Sequence, residues 1–319
     1  MAGTDVDVEV VGAGVIGLTC ALALARAGAR VRVISDRAPD ATTSAVAAAI
    51  WFPYEAAPAE RVLAWSGATL RELVRLADDP ATGVVLRGGV MCHRDPQPDL
   101  AWADEVPGHR EATPDELPPD PAIGRATFCE LPVVEMPTYL GWLLDQVRAA
   151  GAEVVLDRRV ASLDELDAPR VVVATGLGAR ELPGDPEPYA IRGQIVRVAN
   201  PGIDRWILDD DNPGGDTYII PRGRDVVLGG TADRHAEDTT PDPATERSIL
   251  ARAIALEPRL RDAPILSRGV GLRPGRAAVR LEREIDHTND RTIVHCYGHG
   301  GAGVTLSWGC AAEVAMLLT

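Results

Sequence analysis

The 319-residue sequence contains no lysine, so arginine supplies all 32 of its basic side chains. Acidic residues outnumber them, and the formal charge at pH 7 is −15. A surface of that sign repels polyanions, so we expect no general role in nucleic-acid binding. The apolar content of 46% at this length suffices for a sizeable core, in two domains or in one large α/β unit.

Cysteine is also scarce, and its five residues are scattered without a C-x-x-C pair or a metal-ligand spacing. Cys20 and Cys310 lie in apolar helical patterns, which favours small buried side chains over disulfides or ligands. The amino terminus is acidic and lacks the basic region of a secretory signal, and glycines interrupt the longest apolar window, 8–27. We therefore expect a cytoplasmic protein with no membrane span and no metal.

The beginning of the chain predicts a βαβ unit. DVEVV (7–11) is rich in valine, VIGLTCALALARAG (15–28) has helical periodicity and ends on glycine, and RVRVIS (30–35) alternates like a second strand.

A glycine motif lies between the first strand and the helix of that unit. GAGVIG places Gly12, Gly14 and Gly17 in the G-x-G-x-x-G spacing. The three glycines permit a tight turn, close approach of a pyrophosphate and close packing of a helix whose amino terminus faces the phosphates. Asp36 follows the second strand, where a carboxylate can accept from a ribose hydroxyl. The motif predicts a bound dinucleotide and does not choose between NAD and FAD.

The rest of the chain alternates between two kinds of pattern. One amphipathic helix (68–79) precedes Pro- and Asp-rich text that predicts loops and short strands, and the α/β pattern resumes from 138. Several β-rich runs follow between 192 and 230. We predict a nucleotide domain built from three segments, 1–55, 135–190 and 266–319, and a β-rich second domain built from 56–134 and 191–265.

Two further segments fit a ligand at the same place. TTSAVAAAIWFPY (42–54) combines hydroxyls with small residues, which suits contact with a second ligand moiety, but a tight alanine-rich helix explains the composition equally well. VVVATGLGA places Thr175 and Gly176 after a buried strand, where doubly wound sheets bind ligands, although a simple loop has the same appearance.

The stretch HCYGHGGAGVTLSWG (295–309) is rich in glycine and carries two histidines. His295 and His299 are four residues apart, but the change from strand to turn separates their directions, so we do not expect them to bind a metal. The glycines predict close approach of a ligand to the backbone, with the amides of the following helix facing it.

Together these stretches resemble the D-amino-acid oxidase family of FAD-dependent amine oxidoreductases over nearly the whole chain. The resemblance rests on VVGAGVIGL, DR (36–37), TT (42–43) leading to AAAIWFPY, ATG (174–176), RGQIVRV (192–198), YIIPR with VVLGG, GLRPGR with VRLE, and HCYGHGGAGVTLSWGCA. It implies an α/β fold: a Rossmann-like FAD-binding domain assembled from discontinuous segments, plus a β-rich α+β substrate domain.

The resemblance also implies roles for individual residues. Arg273 would clamp the substrate carboxylate, Tyr218 would hydrogen-bond the same group, and the Gly301 carbonyl would accept from the substrate amine. A guanidinium matches a carboxylate in bidentate fashion, but the residues alone do not choose among Arg273, Arg276 and Arg280. The implied FAD contacts are Gly12, Ala13, Gly14, Val15, Ile16, Gly17, Asp36, Arg37, Thr42, Thr43, Ser44, Ala49, Ile50, Val160, Thr175, Gly300, Gly301, Gly303, Val304 and Thr305.

The implied reaction is oxidative deamination of a D-amino acid. Hydride passes from Cα to flavin N5, the imino acid hydrolyses to a 2-oxo acid and ammonia, and O₂ becomes hydrogen peroxide. D-aspartate and glycine oxidase activities remain open, because they differ from it only in the pocket wall. An NAD(P)-dependent dehydrogenase and a flavin-binding protein without turnover are also compatible with the sequence, as is a homodimer.

Three positions depart from the family pattern. Gly214 stands where vertebrate relatives have a lid tyrosine, which puts the lid in doubt. Phe52 replaces a frequent glutamine and is expected to alter the pocket. Cys296 follows His295 where asparagine, alanine or histidine is usual, and we expect this change to affect only packing.

Overall fold

The computed structural model of the chain describes residues 6–53, 55–95, 97–98 and 100–318. Residues 1–5 and 319, at the ends of the predicted FAD domain, and Tyr54 of the AAAIWFPY stretch lie outside it. The helices are α1 (Val15–Arg26), α2 (Thr43–Val46), α3 (Ala59–Leu76), α4 (Met136–Ala149), α5 (Pro243–Leu256) and α6 (Gly303–Leu318). The strands are β1 (Val8–Val11), β2 (Val31–Ile34), β3 (Val84–His93), β4 (Arg110–Glu111), β5 (Arg125–Val134), β6 (Glu153–Val155), β7 (Arg170–Val173), β8 (Tyr189–Ala199), β9 (Trp206–Asp209), β10 (Thr217–Pro221), β11 (Asp225–Gly229), β12 (Asp233–Arg234), β13 (Ile265–Gly275), β14 (Arg280–Asp286) and β15 (Arg291–Tyr297).

Six strands form the first sheet, in the order β14, β15, β7, β1, β2, β6. Strands β15, β7, β1, β2 and β6 run parallel to one another, and β14 pairs antiparallel with β15 at one edge of the sheet. All four residues of β1 are buried, as expected for a strand covered on both faces. The predicted βαβ unit and the Rossmann-like fold are confirmed.

Helices α1, α3 and α6 pack together on one face of the first sheet. The Thr19 hydroxyl of α1 lies 3.3 Å from the Ser307 carbonyl oxygen of α6. The Gly309 amide of α6 donates to the Thr69 hydroxyl of α3 at 3.0 Å. A Cβ on Gly309 would collide with the backbone of Trp65, so these two helices approach closely. Each large apolar side chain buried here contributes about 1.5–3 kcal/mol.

The second sheet has nine strands, in the order β12, β8, β11, β10, β9, β3, β5, β4, with β13 paired along β8. The apolar face of α5, including Ile249 and Ala253, covers one side of the sheet. Met91 and Leu208, on the other side, join the core that contains α1 and α6. The second sheet therefore faces the first domain directly.

Three predicted details differ from the structure. The predicted boundary at 266 is wrong by one strand, because 265–275 (β13) pairs antiparallel with β8 in the second sheet. The region 84–134 contains two ten-residue strands, β3 and β5, where we predicted short strands. Their pairing partners lie far along the chain, so local composition did not reveal their length. In addition, α3 lies within the segment 56–134, which we predicted for the second domain, but it packs with α1 and α6 on the first sheet.

One helical segment, Gly300–Leu318, is long and apolar enough to cross a membrane by length and composition alone. Most of it is buried within the protein, where α6 packs against α1 and α3. This packing is that of a core helix.

Candidate active site

The turn between β1 and α1 is shaped by its glycines. Gly12 has a φ of +116°, and a Cβ there would collide with the carbonyl oxygen of Ala174, just after β7. A Cβ on Gly17 would collide with the Gly12 carbonyl, so the helix approaches the strand closely. At Gly14 the nearest atom to an added Cβ is the Ser44 hydroxyl oxygen, at 3.2 Å. The N-cap residue, Gly14, has no side chain that could block close approach, so an anion can reach the amides at the helix start.

The segment 42–50 lies across the start of α1. The Val15 amide donates to the Ser44 hydroxyl at 3.1 Å. The Thr43 hydroxyl donates to the Leu272 carbonyl of β13 at 3.2 Å. α2 is a single turn in an otherwise extended segment, so the interpretation as an alanine-rich helix is wrong. The segment thereby links the glycine turn to the second sheet.

Two predicted cofactor hydroxyls are held by nearby backbone. The Thr42 hydroxyl donates to the Pro39 carbonyl at 2.6 Å, and the Thr175 hydroxyl donates to the Leu182 carbonyl at 3.1 Å. Thr175 also follows the carboxyl end of β7, the edge at which doubly wound sheets bind ligands.

Three of the predicted cofactor contacts, Ala49, Ile50 and Val160, are apolar. Ala49 has a φ of +55° and lends its carbonyl to β5, and Ile50 forms an isolated bridge with Val133. Val160 is buried with Val11 against the first sheet. These side chains therefore supply apolar surface rather than polar groups.

Asp36 and Arg37 form an ion pair after β2. Two hydrogen bonds of 3.0 and 2.6 Å join the guanidinium to the carboxylate. The hydrogen bond from Arg37 lowers the pKa of Asp36, so this carboxylate is ionised at neutral pH. The side chains are 45% and 56% exposed, which leaves both accessible to a ligand.

The glycine-rich stretch after β15 forms a turn into α6. Gly300 has a φ of +54° and begins a 3₁₀ turn, Gly300–Ala302, which leads directly into α6 at Gly303. Gly301 is exposed at this turn, whereas Val304 is buried. Strand end, glycine turn and helix start occur as predicted.

Thr305 ties this turn to the segment 42–52. Its hydroxyl accepts from the Phe52 amide at 3.1 Å and donates to the Phe52 carbonyl at 2.9 Å. These two bonds hold the Thr305 side chain. This residue would therefore contact a cofactor through its backbone. The connection fixes the distance between the turn and the glycine motif.

The two histidines of the stretch face different surroundings. Nε2 of His295 lies 2.9 Å from a carboxylate oxygen of Glu284. His299 is buried, which lowers its pKa to about 4, and its ring lies with Cys296 and Cys310 in a group whose donor atoms are within 4.8 Å of one another. His295 and His299 therefore do not converge. All five cysteines are free and buried, as predicted for Cys20 and Cys310.

Arg273 and Tyr218 come together on the second sheet. The Arg273 guanidinium lies over Gly193, where an added Cβ would sit 2.5 Å from Nη1. The Tyr218 ring lies across Gly229 and Gly230, and a Cβ on Gly230 would sit 2.8 Å from the phenol oxygen. The positive charge of the guanidinium acts on the phenol and opposes the rise in its pKa, so the two groups lie close together. Glycine at these positions leaves the room that both side chains occupy.

The charges around the three candidate arginines distinguish them. Nη1 of Arg273 donates to the Thr231 carbonyl at 2.8 Å, and no carboxylate in the described part of the chain pairs with this guanidinium. Arg276 pairs with Asp185 at 3.2 Å, and Arg280 pairs with a carboxylate of its own strand at 2.7 Å. Arg273 is therefore the one of these three that has charge left for an anionic ligand.

Tyr218 can act as a hydrogen-bond donor to the same ligand. Its burial raises the phenol pKa above the usual value, although the positive charge of Arg273 opposes the shift. The phenol is thus protonated at neutral pH.

The sequence patterns did not assign roles to Gly193, Gly229 or Thr231, although these residues lie in or beside the quoted RGQIVRV and VVLGG stretches.

The predicted departures lie around this pair. The Gly214 carbonyl accepts from Arg252 of α5 at 2.9 Å, and the same guanidinium bonds the Thr217 hydroxyl at 2.9 Å and the Gly230 carbonyl at 3.0 Å. The loop that would carry a lid side chain is therefore held down by α5. Phe52 packs edge-on against Trp102, with ring centroids 5.1 Å apart.

The fold and the glycine turn define the class as a dinucleotide-binding protein with a second, β-rich sheet. Residues 7–317 match the family described as "FAD dependent oxidoreductase" (DAO). The chain belongs to this family, and its cofactor is FAD.

Curated relatives match nearly the full length. The chain is 52% identical over 311 residues to a D-amino-acid oxidase of Rubrobacter xylanophilus, covering 97% of this chain and 94% of the relative. It is 44% identical to a D-amino-acid oxidase of Streptomyces coelicolor, with 98% and 97% covered. A human D-aspartate oxidase is 36% identical, with 98% and 94% covered.

Solved structures share the fold at low sequence identity. Glycine oxidase from Bacillus cereus superposes with a TM-score of 0.81 at 22% identity, covering 98% of this chain and 95% of that one. L-proline dehydrogenase from P. horikoshii gives 0.81 at 18% identity, with 99% and 94% covered.

The residues at the glycine turn fit FAD. The turn at Gly12 and Gly17 leaves no room for side chains, and the N-cap residue of α1 is a glycine, as close approach of a pyrophosphate requires. Asp36 is ionised and accessible beside the end of β2. The exposed turn at Gly301 lies beside β13 of the second sheet.

Replacing Asp36 with alanine is expected to weaken FAD binding about tenfold, through loss of a charged acceptor for a ribose hydroxyl. Fluorescence titration of the apoprotein with FAD measures the dissociation constant. Asp40→Ala, which removes an exposed carboxylate nearby, is the matched control. An unchanged affinity in Asp36→Ala contradicts the placement of the ribose.

Proposed function

We propose that this protein oxidises D-amino acids to 2-oxo acids, releasing ammonia and hydrogen peroxide, with FAD as cofactor. The observation that carries the proposal is the Arg273 guanidinium, partly buried beside the protonated phenol of Tyr218 and without a carboxylate partner among the described residues. Such a pair suits a small carboxylate. The names and the 52% and 44% identities of the bacterial relatives support the same activity.

In this proposal the chain's own residues orient the substrate. Arg273 and Tyr218 bind the carboxylate, and the exposed Gly301 carbonyl accepts from the amine, so that one enantiomer presents its Cα hydrogen to the cofactor. FAD, when bound, accepts the hydride and passes the electrons to O₂. We find no requirement for an acid or base side chain in this arrangement.

The purified holoprotein is expected to release peroxide with several D-amino acids and not with their L-enantiomers. Anaerobic loss of the flavin absorption band with each amino acid separately tests binding and reduction without O₂. Bleaching by NAD(P)H alone supports a dehydrogenase instead. A flavin that no D-amino acid bleaches overturns the proposal.

We further propose a cytoplasmic protein that does not insert into membranes and that forms a homodimer. The five free thiols are compatible with a reducing compartment. Light scattering after gel filtration measures the oligomeric state, and fractionation of the native cells locates the protein.

A further inference from the structure

A cavity of about 280 Å³ lies beside Phe52, at the carboxyl ends of β3 and β9. Its walls include the apolar side chains of Phe52, Met91 and Trp102. Asp210 and Asp211, which follow β9, line the same space. The cavity thus has an apolar stem region and an acidic end.

The strand register places this cavity next to Tyr218. Tyr218 of β10 is directly opposite Leu208 of β9, and Leu208 is opposite Met91 of β3. Opposed residues share a face of a sheet, and so do residues two positions apart on an extended chain. Asp210, two positions after Leu208, continues this line just beyond the end of β9. Adjacent strands are roughly 5 Å apart, so the acidic end lies within reach of a long substrate side chain.

Arg273 belongs to the same face. Tyr218 is opposite Gly229 of β11, Gly229 is opposite Ile195 of β8, and Arg273 of β13 is opposite Ile191, four positions before Ile195. A substrate whose carboxylate is held by Arg273 and Tyr218 can therefore extend along this face toward the cavity.

The carboxylates near the cavity are not equivalent. Asp209 is fully buried and is bonded to Arg94 at 2.7 and 2.9 Å, so its charge is compensated. Asp211 is exposed to solvent. Asp210 is half-buried, and its side chain has no hydrogen bond or ion pair with any residue that the structure describes. Burial and the neighbouring carboxylates raise the pKa of Asp210 to about 7, which is the mark of an uncompensated anion.

A buried histidine completes the polar end. His93 lines the cavity, is 8% exposed, and bonds the Thr127 hydroxyl through Nε2 at 2.8 Å. Its other ring nitrogen has no partner within the described ranges. Burial lowers the pKa of His93, so the ring is neutral and offers a hydrogen bond without cancelling the charge of Asp210.

We propose, on the basis of the proposed function, that this cavity receives the cationic side chain of a D-lysine- or D-arginine-like substrate, with Asp210 as its counter-ion. The methylene groups of such a side chain pack along Phe52, Met91 and Trp102 while its charged end reaches the carboxylate. A second carboxylate on the substrate side chain would be repelled by the acidic residues that line the cavity. The cavity therefore disfavours D-aspartate.

The test compares D-lysine with D-norleucine, a neutral substrate of nearly the same shape, at roughly pH 8.5, where Asp210 is ionised and the lysine amine stays protonated. The wild-type holoenzyme is expected to have a higher kcat/KM for D-lysine. In Asp210→Asn the ratio of the two kcat/KM values is expected to fall about tenfold or more, through loss of a charged hydrogen bond. Asp210→Glu retains the charge and is expected to keep most of the preference.

Asp204→Asn, which removes an exposed charge shortly before β9, is the control and is expected to leave the ratio unchanged. Flavin absorbance and thermal unfolding of each variant show whether it is folded. An enzyme that oxidises D-norleucine without favouring D-lysine overturns the inference and leaves the proposed function standing, as does an unchanged ratio in folded Asp210→Asn. If no D-amino acid is oxidised, both fail.

Discussion

Replacing Arg273 with alanine is expected to lower kcat/KM for D-amino acids by a hundredfold or more, because it removes one partner of a desolvated charge pair worth about 3 kcal/mol. FAD should remain bound, since the guanidinium lies over Gly193 of the second sheet and not in the glycine turn. Steady-state peroxide release and the flavin spectrum measure the two effects separately.

Arg283→Ala, which removes an exposed arginine of β14, controls for the loss of positive charge. Arg273→Lys is expected to recover only part of the activity, because an ammonium cannot bind a carboxylate in bidentate fashion. Near-normal turnover in Arg273→Ala would show that another group binds the carboxylate.

Replacing Gly12 with alanine is expected to abolish tight FAD binding and to destabilise the fold by roughly 3 kcal/mol. The backbone at Gly12 has a φ of +116°, which disfavours any Cβ, and the added atom would collide with the Ala174 carbonyl. The FAD dissociation constant and the thermal unfolding of the apoprotein measure these losses.

Two further glycine substitutions separate folding from cofactor binding. Gly14→Ala meets only the Ser44 hydroxyl at 3.2 Å, so its apoprotein is expected to fold while FAD binding weakens. Gly141→Ala lies in α4, where an added Cβ has no neighbour within 4 Å, and it should stabilise the protein by about 0.5–1 kcal/mol. A normal FAD affinity in both Gly12→Ala and Gly14→Ala would refute the phosphate site.

The choice among three arginines illustrates what the residues alone left open. Arg273, Arg276 and Arg280 are close together in the chain and chemically identical. In the structure Arg276 and Arg280 meet carboxylates, whereas Arg273 lies on another sheet beside Tyr218. The family resemblance selected Arg273, and the observed charges now give a physical reason for that choice. The roles of Arg273, Tyr218 and Gly301 in catalysis remain predictions.

The sequence by itself determined the features whose causes are local. The glycine spacing, the periodicity of α1 and the apolar run of β1 each depend on residues a few positions apart, and all were found at the predicted places. The glycine turn before α6 belongs to the same group.

Only the tertiary structure decided the features that depend on distant pairing. It assigned β13 to the second sheet along β8, gave β3 and β5 their full length, and placed α3 on the first domain. It also brought Asp210 onto the face that carries Tyr218. The pairing of these strands is set by partners far along the chain, and no local pattern contains that information.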